Sequence, residues 1–119
     1  MTSATSRLRV TEHGDITRIE FVDRNILDEA NIQQIGAEIA RIVDAKPQPK
    51  LLISFENVDH LSSAALGTLI TINNRIRSKD GQLRLAKIDP QIYEVFVITK
   101  LNKLFQIYET PQQAMESFT

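Results

Sequence analysis

Two adjacent serines, Ser62 and Ser63, stand where an apolar segment meets a second segment with helical spacing. A serine at the start of a helix can accept a hydrogen bond from a backbone amide that has no other partner, so one of the pair is expected to cap the helix. The other hydroxyl then stays exposed at the positive end of the helix dipole, where an added anion is stabilised. The pair therefore predicts either ordinary helix capping or a phosphorylation site.

The residues around the pair favour phosphorylation. Residues 58–67, VDHLSSAALG, resemble the signature of STAS domains, the family of bacterial anti-sigma-factor antagonists, in which Asp/Ser-Ser-Ser/Ala-Gly-Leu-Gly follows a hydrophobic strand and a short loop. Residues 26–28, ILD, resemble the family's Leu-Asp ahead of its first helix, and residues 99–101, TKL, resemble the Ser/Thr-Gly-Leu ahead of its last strand. The resemblance covers nearly the whole chain.

The resemblance also implies roles for individual residues. Ser63 falls on the serine that the family's partner kinase phosphorylates. Ala65 and Lys100 stand where the family usually has glycine, and the Ala65 methyl is expected to meet the backbone of the partner. The expected partner-binding residues lie in the serine loop, in the first turn of the helix and ahead of the first helix: Asp28, Asp59, His60, Ser62, Ala64 and Ala65.

The function that the resemblance implies is a switch without enzymatic activity. The unphosphorylated chain would bind a serine-kinase anti-sigma factor, phosphate on Ser63 would block that docking, and a phosphatase would be a further partner. An alternative is a STAS accessory subunit that docks on a membrane transporter or a signalling scaffold without phosphorylation. A hydrolase triad of Ser63, His60 and Asp59 is disfavoured, because the loop lacks the Gly-x-Ser-x-Gly turn that exposes a nucleophile.

Size, charge and composition disfavour other classes of protein. The 14 basic and 15 acidic residues leave a net charge of −1, which argues against a nucleic-acid partner. The chain has no cysteine and only two histidines, His13 and His60, so we expect neither a metal site nor a cofactor. No apolar run is long enough to cross a bilayer, and the sequence predicts a cytoplasmic protein without direct membrane insertion.

The elements that must position the serines follow from the hydrophobic pattern. Residues 1–6 are small and polar and predict a flexible tail, and residues 7–119 are expected to form one domain. Residues 8–12 and 16–22 have the composition of strands, and Gly14 between them permits a tight reversal. The chain is therefore expected to open with a β-hairpin.

Helices and strands alternate after the hairpin. Asp28 is expected to cap a helix whose isoleucines recur every three or four residues, and residues 51–55 have the composition of a buried central strand. Gly81 is expected to end the helix that the serines begin, and the next helix carries Ile92, Val95 and Phe96 as apolar positions. The order β-β-α-β-α-β-α-β-α predicts an α/β fold of the STAS type, a single domain with a mixed sheet and helices mainly on one face.

Overall fold

The computed structural model describes residues 8–118, so the tail expected at residues 1–6 lies outside the described residues. The described chain alternates strands and helices in the predicted order, with two additional strands of two residues each. The strands are β1 (Leu8–His13), β2 (Ile16–Phe21), β3 (Asn25–Ile26), β4 (Lys50–Ser54), β5 (His60–Leu61), β6 (Gln82–Ala86) and β7 (Gln106–Tyr108). The helices are α1 (Glu29–Asp44), α2 (Ser63–Arg77), α3 (Pro90–Ile98) and α4 (Pro111–Glu116), with a 3₁₀ turn at Leu101–Lys103.

Five strands form one mixed sheet in the order β1-β2-β4-β6-β7. The antiparallel pair β1 and β2 is joined by a two-residue loop in which Gly14 has a φ of 64°, a conformation that costs glycine little. All other neighbours in this sheet are parallel, because a helix connects each strand to the next. The predicted α/β class, mixed sheet and opening hairpin are confirmed.

The two faces of the sheet are covered unequally. Alternate residues of the central strand point to opposite faces, so Leu51 and Ile53 join the main core with α1, α2 and α3. Leu52 points the other way and packs in a smaller cluster with Ala86 and Ala114 of α4. Three helices therefore lie on one face and one on the other, which confirms the prediction that the helices pack mainly on one face.

The end of α2 differs from the prediction in its detail. The residue with left-handed backbone is Asp80, with a φ of 56°, whereas Gly81 has an ordinary negative φ. Glycine is needed at position 81 for space, because a Cβ there would collide with the carbonyl oxygen of Pro49 and lie 2.8 Å from Cγ2 of Ile76. Gly81 therefore lets the start of β6 pass close to the loop before β4.

Candidate functional site

The N-termini of α1, α2 and α3 meet at one edge of the sheet. Each of these helices follows a parallel strand, so all three begin at the carboxyl ends of the strands, the edge where open α/β sheets commonly carry their sites. Each N-terminus is capped by a side chain that accepts a hydrogen bond from a backbone amide. The bonds are Ala30 N to Asp28 Oδ1 at 3.1 Å, Ala65 N to Ser62 Oγ at 3.3 Å and Gln91 N to Asp89 Oδ2 at 2.9 Å.

A short parallel ribbon, β3 with β5, holds the loop before α1 beside the loop before α2. The Arg24 carbonyl accepts hydrogen bonds from the backbone nitrogens of Asp59, at 2.7 Å, and His60, at 3.2 Å. The backbone nitrogen of Ser62 donates to the Ile26 carbonyl at 3.1 Å, and the Arg24 side chain donates to Asp59 Oδ2 at 2.9 Å. The ribbon therefore joins into one surface two loops that are far apart in the sequence.

The two serines have different environments. Ser62 is half-buried and is the N-cap of α2, as the sequence argument predicts for one of the pair. Ser63 is the first residue of the helix and is exposed, and its hydroxyl has no hydrogen-bond partner within residues 8–118. Ser63 is therefore free to be modified without loss of the helix cap.

The other predicted site residues divide between surface and core. Asp28, His60 and Ala64 are exposed on this edge, and Asp59 is half-buried beside them. Ala65 differs from the expectation, because its side chain is only 5% exposed and packs in the main core. Its methyl group therefore cannot meet a partner, and Ala65 contributes its backbone nitrogen to the Ser62 cap instead.

The charges around the three helix N-termini are also unequal. The caps of α1 and α3, Asp28 and Asp89, are carboxylates that complement the positive end of the helix dipole. The cap of α2, Ser62, is neutral, and the first turn of α2 contains no acidic residue. Among these three helices, α2 is therefore the one whose dipole has no negative charge at its start.

The carboxylates with lowered pKa values lie at the opposite edge of the sheet and at the far ends of α1 and α2. A hydrogen bond from Lys46 lowers the pKa of Glu12, and one from Lys50 lowers the pKa of Asp15. The Asp44 carboxylate accepts two hydrogen bonds from the Arg75 guanidinium, at 2.9 and 2.6 Å, which lower its pKa. These are exposed ion pairs that link neighbouring elements, and none of them belongs to the serine edge.

Nothing in the described residues gives Ser63 the environment of a catalytic nucleophile. The hydroxyl of Ser63 is not hydrogen-bonded to His60 or to any other base within residues 8–118. The same residues contain no group of three or more acidic or histidine side chains placed to hold a metal ion. No helix among them is long and apolar enough to span a bilayer.

A groove of about 390 Å³ lies between α2 and α3 on the same edge. Five apolar side chains line it, together with Asp59, His60 and Gln91; the apolar residues are Leu27, Leu61, Leu66, Ile92 and Val95. Leu27 is 56% exposed and Val95 is 42% exposed, so both leave apolar surface in contact with water. We call this feature the α2–α3 groove.

Sequence reasoning missed the α2–α3 groove, although one signal pointed to it. α3 is apolar on nearly all sides, with six large apolar or aromatic residues in nine positions, more than one helix face can bury. Only Ile92 and Phe96 are buried, and Val95, expected at an apolar position, faces the groove. The excess apolar residues of α3 could have indicated a binding surface.

Comparisons with known proteins agree on the kind of domain. The STAS domain family model matches residues 7–114. A protein from Bordetella bronchiseptica assigned as an anti-sigma factor antagonist, BtrV, is 27% identical over 95 residues, which cover 80% of this chain and 81% of that protein. These matches extend over most of the chain and include the serine edge.

Two solved structures share the fold. An anti-sigma-factor antagonist (STAS) domain protein from Planctomyces limnophilus superposes with a TM-score of 0.84 at 26% identity, over 92% of this chain and 96% of that one. The Bacillus protein SpoIIAA, solved in its phosphorylated form, superposes with a TM-score of 0.72 over 92% of this chain and 96% of that one. Its identity of 16% makes it a likeness of fold alone.

Proposed function

The chain belongs to the STAS domain family, with relatives that are anti-sigma factor antagonists, and on that premise we propose that it is a phosphorylation-controlled switch of this kind. When Ser63 is unmodified, the chain binds a serine-kinase anti-sigma factor in the cytoplasm and keeps it from its sigma factor. The kinase ends the interaction by phosphorylating Ser63, and a phosphatase restores it. The chain acts by binding and carries out no reaction of its own.

The observation that carries this proposal is the division of roles between the two serines. Ser62 holds the start of α2, and Ser63 presents a free hydroxyl to solvent on the next residue. Modification of a serine that also capped the helix would change the hydroxyl oxygen that accepts the capping hydrogen bond. Because the cap is supplied by its neighbour, Ser63 can gain and lose a phosphate while the domain stays folded.

The electrostatics of α2 support a phosphate at Ser63. A phosphoserine adds about 1.5 to 2 negative charges at neutral pH and three strong hydrogen-bond acceptors. At the first residue of α2 this charge meets the positive end of the dipole, where no carboxylate competes with it. The same charge opposes docking, because a partner that covers this edge would have to remove water from the phosphate. Phosphorylation would therefore block the surface locally and leave the fold unchanged.

Titration calorimetry with the cognate kinase anti-sigma factor tests the proposal. We expect the unmodified chain to bind and the phosphorylated chain to bind at least about tenfold more weakly, a difference of about 1.4 kcal/mol. The control is Ser63→Ala incubated with kinase and ATP, which should bind as tightly as the unmodified chain. Equal binding of both forms would reject control by phosphate, and no binding of either form would favour an accessory subunit of a transporter or signalling scaffold.

A further inference from the structure

Both tyrosines of the chain line one open cavity between the start of α3 and β7. The cavity has a volume of about 510 Å³, which lies in the range of small-molecule sites. Its lining residues are Ile88, Pro90, Tyr93, Ile107, Tyr108 and Glu109. None of them lines the α2–α3 groove, so this cavity, which we call the tyrosine cavity, is a separate feature.

The two tyrosine rings have no aromatic or cationic partner within residues 8–118, where ring–ring and cation–ring contacts involve phenylalanines only. Tyr93 is 40% exposed, and its hydroxyl has no hydrogen-bond partner in the same residues. Tyr108 packs partly against the small cluster with α4, and its hydroxyl donates to Gln106 Oε1 at 3.1 Å. Both rings therefore bring to the cavity aromatic surface that no other ring or cation of the described chain uses.

The tyrosine cavity has a negative charge without a counter-charge. Glu109 is exposed and forms no ion pair within residues 8–118, and no basic residue lines the cavity. Lys87 donates its backbone nitrogen to the Tyr108 carbonyl at 3.2 Å, but its side chain is not part of the lining. A carboxylate beside aromatic rings attracts a cation, because the faces of the rings are also negative.

The rest of the lining is apolar. Ile88 and Ile107 are partly buried and pack against the main core, and Pro90 is the first residue of α3, where its ring fixes the backbone. An alkyl chain that lay on these residues would leave water, as the stems of Lys and Arg side chains do on protein surfaces. The cavity therefore suits a ligand with an apolar stem and a cationic end.

We propose that the tyrosine cavity binds an alkylguanidinium, the group that ends an arginine side chain. A guanidinium is planar, stacks on aromatic rings, and donates N–H groups that match the two oxygens of the Glu109 carboxylate. Its alkyl stem packs on the apolar lining. An anion is repelled by Glu109, and a neutral ligand of the same shape gains less from the carboxylate and the ring faces. The site does not depend on the proposed switch, because Ser63 takes no part in it.

The intrinsic fluorescence of the full chain observes this site alone, because the sequence has two tyrosines and no tryptophan. We expect n-butylguanidinium to change the tyrosine emission in a saturable way, after subtraction of the collisional quenching measured on N-acetyltyrosinamide. The neutral analogue n-butylurea, which has nearly the same shape, should bind at least about fivefold more weakly. An equal response to both compounds, or a response that does not saturate, would overturn the inference.

A charge variant tests the role of the carboxylate. Glu109→Gln removes the charge with little change of shape and should weaken the binding of n-butylguanidinium about threefold or more. The matched control is Glu94→Gln, since Glu94 is exposed on α3 outside the lining and its loss should leave the affinity unchanged. Equal affinities of the two variants would show that Glu109 does not hold the cation, and would overturn the inference.

A ring variant tests the aromatic contact. Tyr93→Leu removes one ring and Tyr93→Phe keeps it, and Tyr108 remains as the fluorescent residue in both variants. We expect a loss of affinity of about twofold to fivefold for Tyr93→Leu and little change for Tyr93→Phe. Equal affinities of the two variants, with melting temperatures like that of the wild-type chain, would reject the contact between cation and ring.

One further titration separates the two sources of an alkylguanidinium. A tripeptide with a central arginine and both ends blocked presents the group as a protein would. If the tripeptide binds at least as tightly as n-butylguanidinium, the site is supported and the source is an arginine of a protein. If n-butylguanidinium alone binds, the site is supported and the source is a free small molecule. If neither binds, the site is rejected and the proposed switch at Ser63 still stands.

Discussion

The hydroxyl oxygen of Ser62 lies 3.3 Å from the backbone nitrogen of Ala65, and this hydrogen bond makes Ser62 the cap of α2. The next hydroxyl, on Ser63, has no such task and faces solvent. Two neighbouring residues of the same type thus differ in structural role, because only Ser62 takes part in the helix cap. The difference between the two serines can be measured as a difference in stability, because a helix cap stabilises the fold and an exposed hydroxyl does not.

Alanine substitutions should separate the two serines by stability. Ser62→Ala removes the cap and should lower the free energy of unfolding by about 0.5 to 2 kcal/mol. Ser63→Ala removes an exposed, unpartnered hydroxyl and should change it by less than about 0.5 kcal/mol, while binding of the partner is kept and regulation is lost. Urea unfolding of both variants measures the difference. If Ser63→Ala were less stable than Ser62→Ala, Ser63 would be the helix cap and its hydroxyl would have an ordinary structural role.

A fixed negative charge at position 63 should imitate the phosphorylated state. Ser63→Asp should weaken binding of the anti-sigma factor by more than about 1.4 kcal/mol, a tenfold loss. It should not lower the melting temperature, because a carboxylate in the first turn complements the dipole of α2. Ser63→Asn, which has the same shape without the charge, is the control and should bind more tightly than Ser63→Asp. Equal affinities of the two variants would mean that charge at position 63 does not control docking.

The left-handed backbone of Lys100 predicts a stabilising substitution. Lys100 follows α3 with a φ of 63°, a conformation that costs a residue with a Cβ about 1 to 2 kcal/mol. Lys100→Gly removes this strain, but glycine also gives the unfolded chain more conformational freedom, which offsets part of the effect. We therefore expect the free energy of unfolding to rise by up to about 1 kcal/mol. Lys100→Ala keeps the Cβ and should give no gain. If chemical denaturation shows that Lys100→Ala is more stable than Lys100→Gly, the backbone strain at position 100 is absent.

The ion pair between α1 and α2 predicts a pH dependence. Two hydrogen bonds from Arg75 lower the pKa of Asp44 below its ordinary value of about 3.9. A carboxylate whose pKa is depressed in the folded state contributes stability above its unfolded pKa and loses it as the pH falls through the folded value. The urea midpoints of the wild-type chain and Asp44→Asn should therefore differ modestly at neutral pH and converge below about pH 4. If the two urea midpoints still differed below about pH 4, the ion pair between Asp44 and Arg75 would not be the cause of the difference.

The sequence predicted the elements whose signals are long and periodic. The isoleucine spacing of α1, the apolar run of β4 and the N-caps at Asp28 and at the serine pair all rest on local patterns, and the structure confirms them. The ribbon of β3 and β5 was missed because each strand has two residues, too few for any period to show. Its pairing joins residues 35 positions apart, which a local pattern cannot indicate.

The candidate site was predicted in the same uneven way. The serine loop lies within one local motif, so its residues could be named from the sequence. The burial of Ala65 depends on how α2 packs against α1, and the α2–α3 groove depends on where α3 is placed by the sheet. Tertiary placement decides which apolar residues are left over, and the exposed Leu27 and Val95 could be identified only from the folded chain.

Mass spectrometry of the chain after incubation with the cognate kinase and ATP tests the central claim most directly. We expect a single phosphate on Ser63 in the wild-type chain, none on Ser63→Ala, and continued modification of Ser63 in Ser62→Ala, because that substitution leaves the acceptor hydroxyl in place. Fragment spectra that locate the phosphate separate the two neighbouring serines. Phosphate on Ser62 instead, or no phosphate on either serine, would contradict the assignment of Ser63 as the residue that switches the domain.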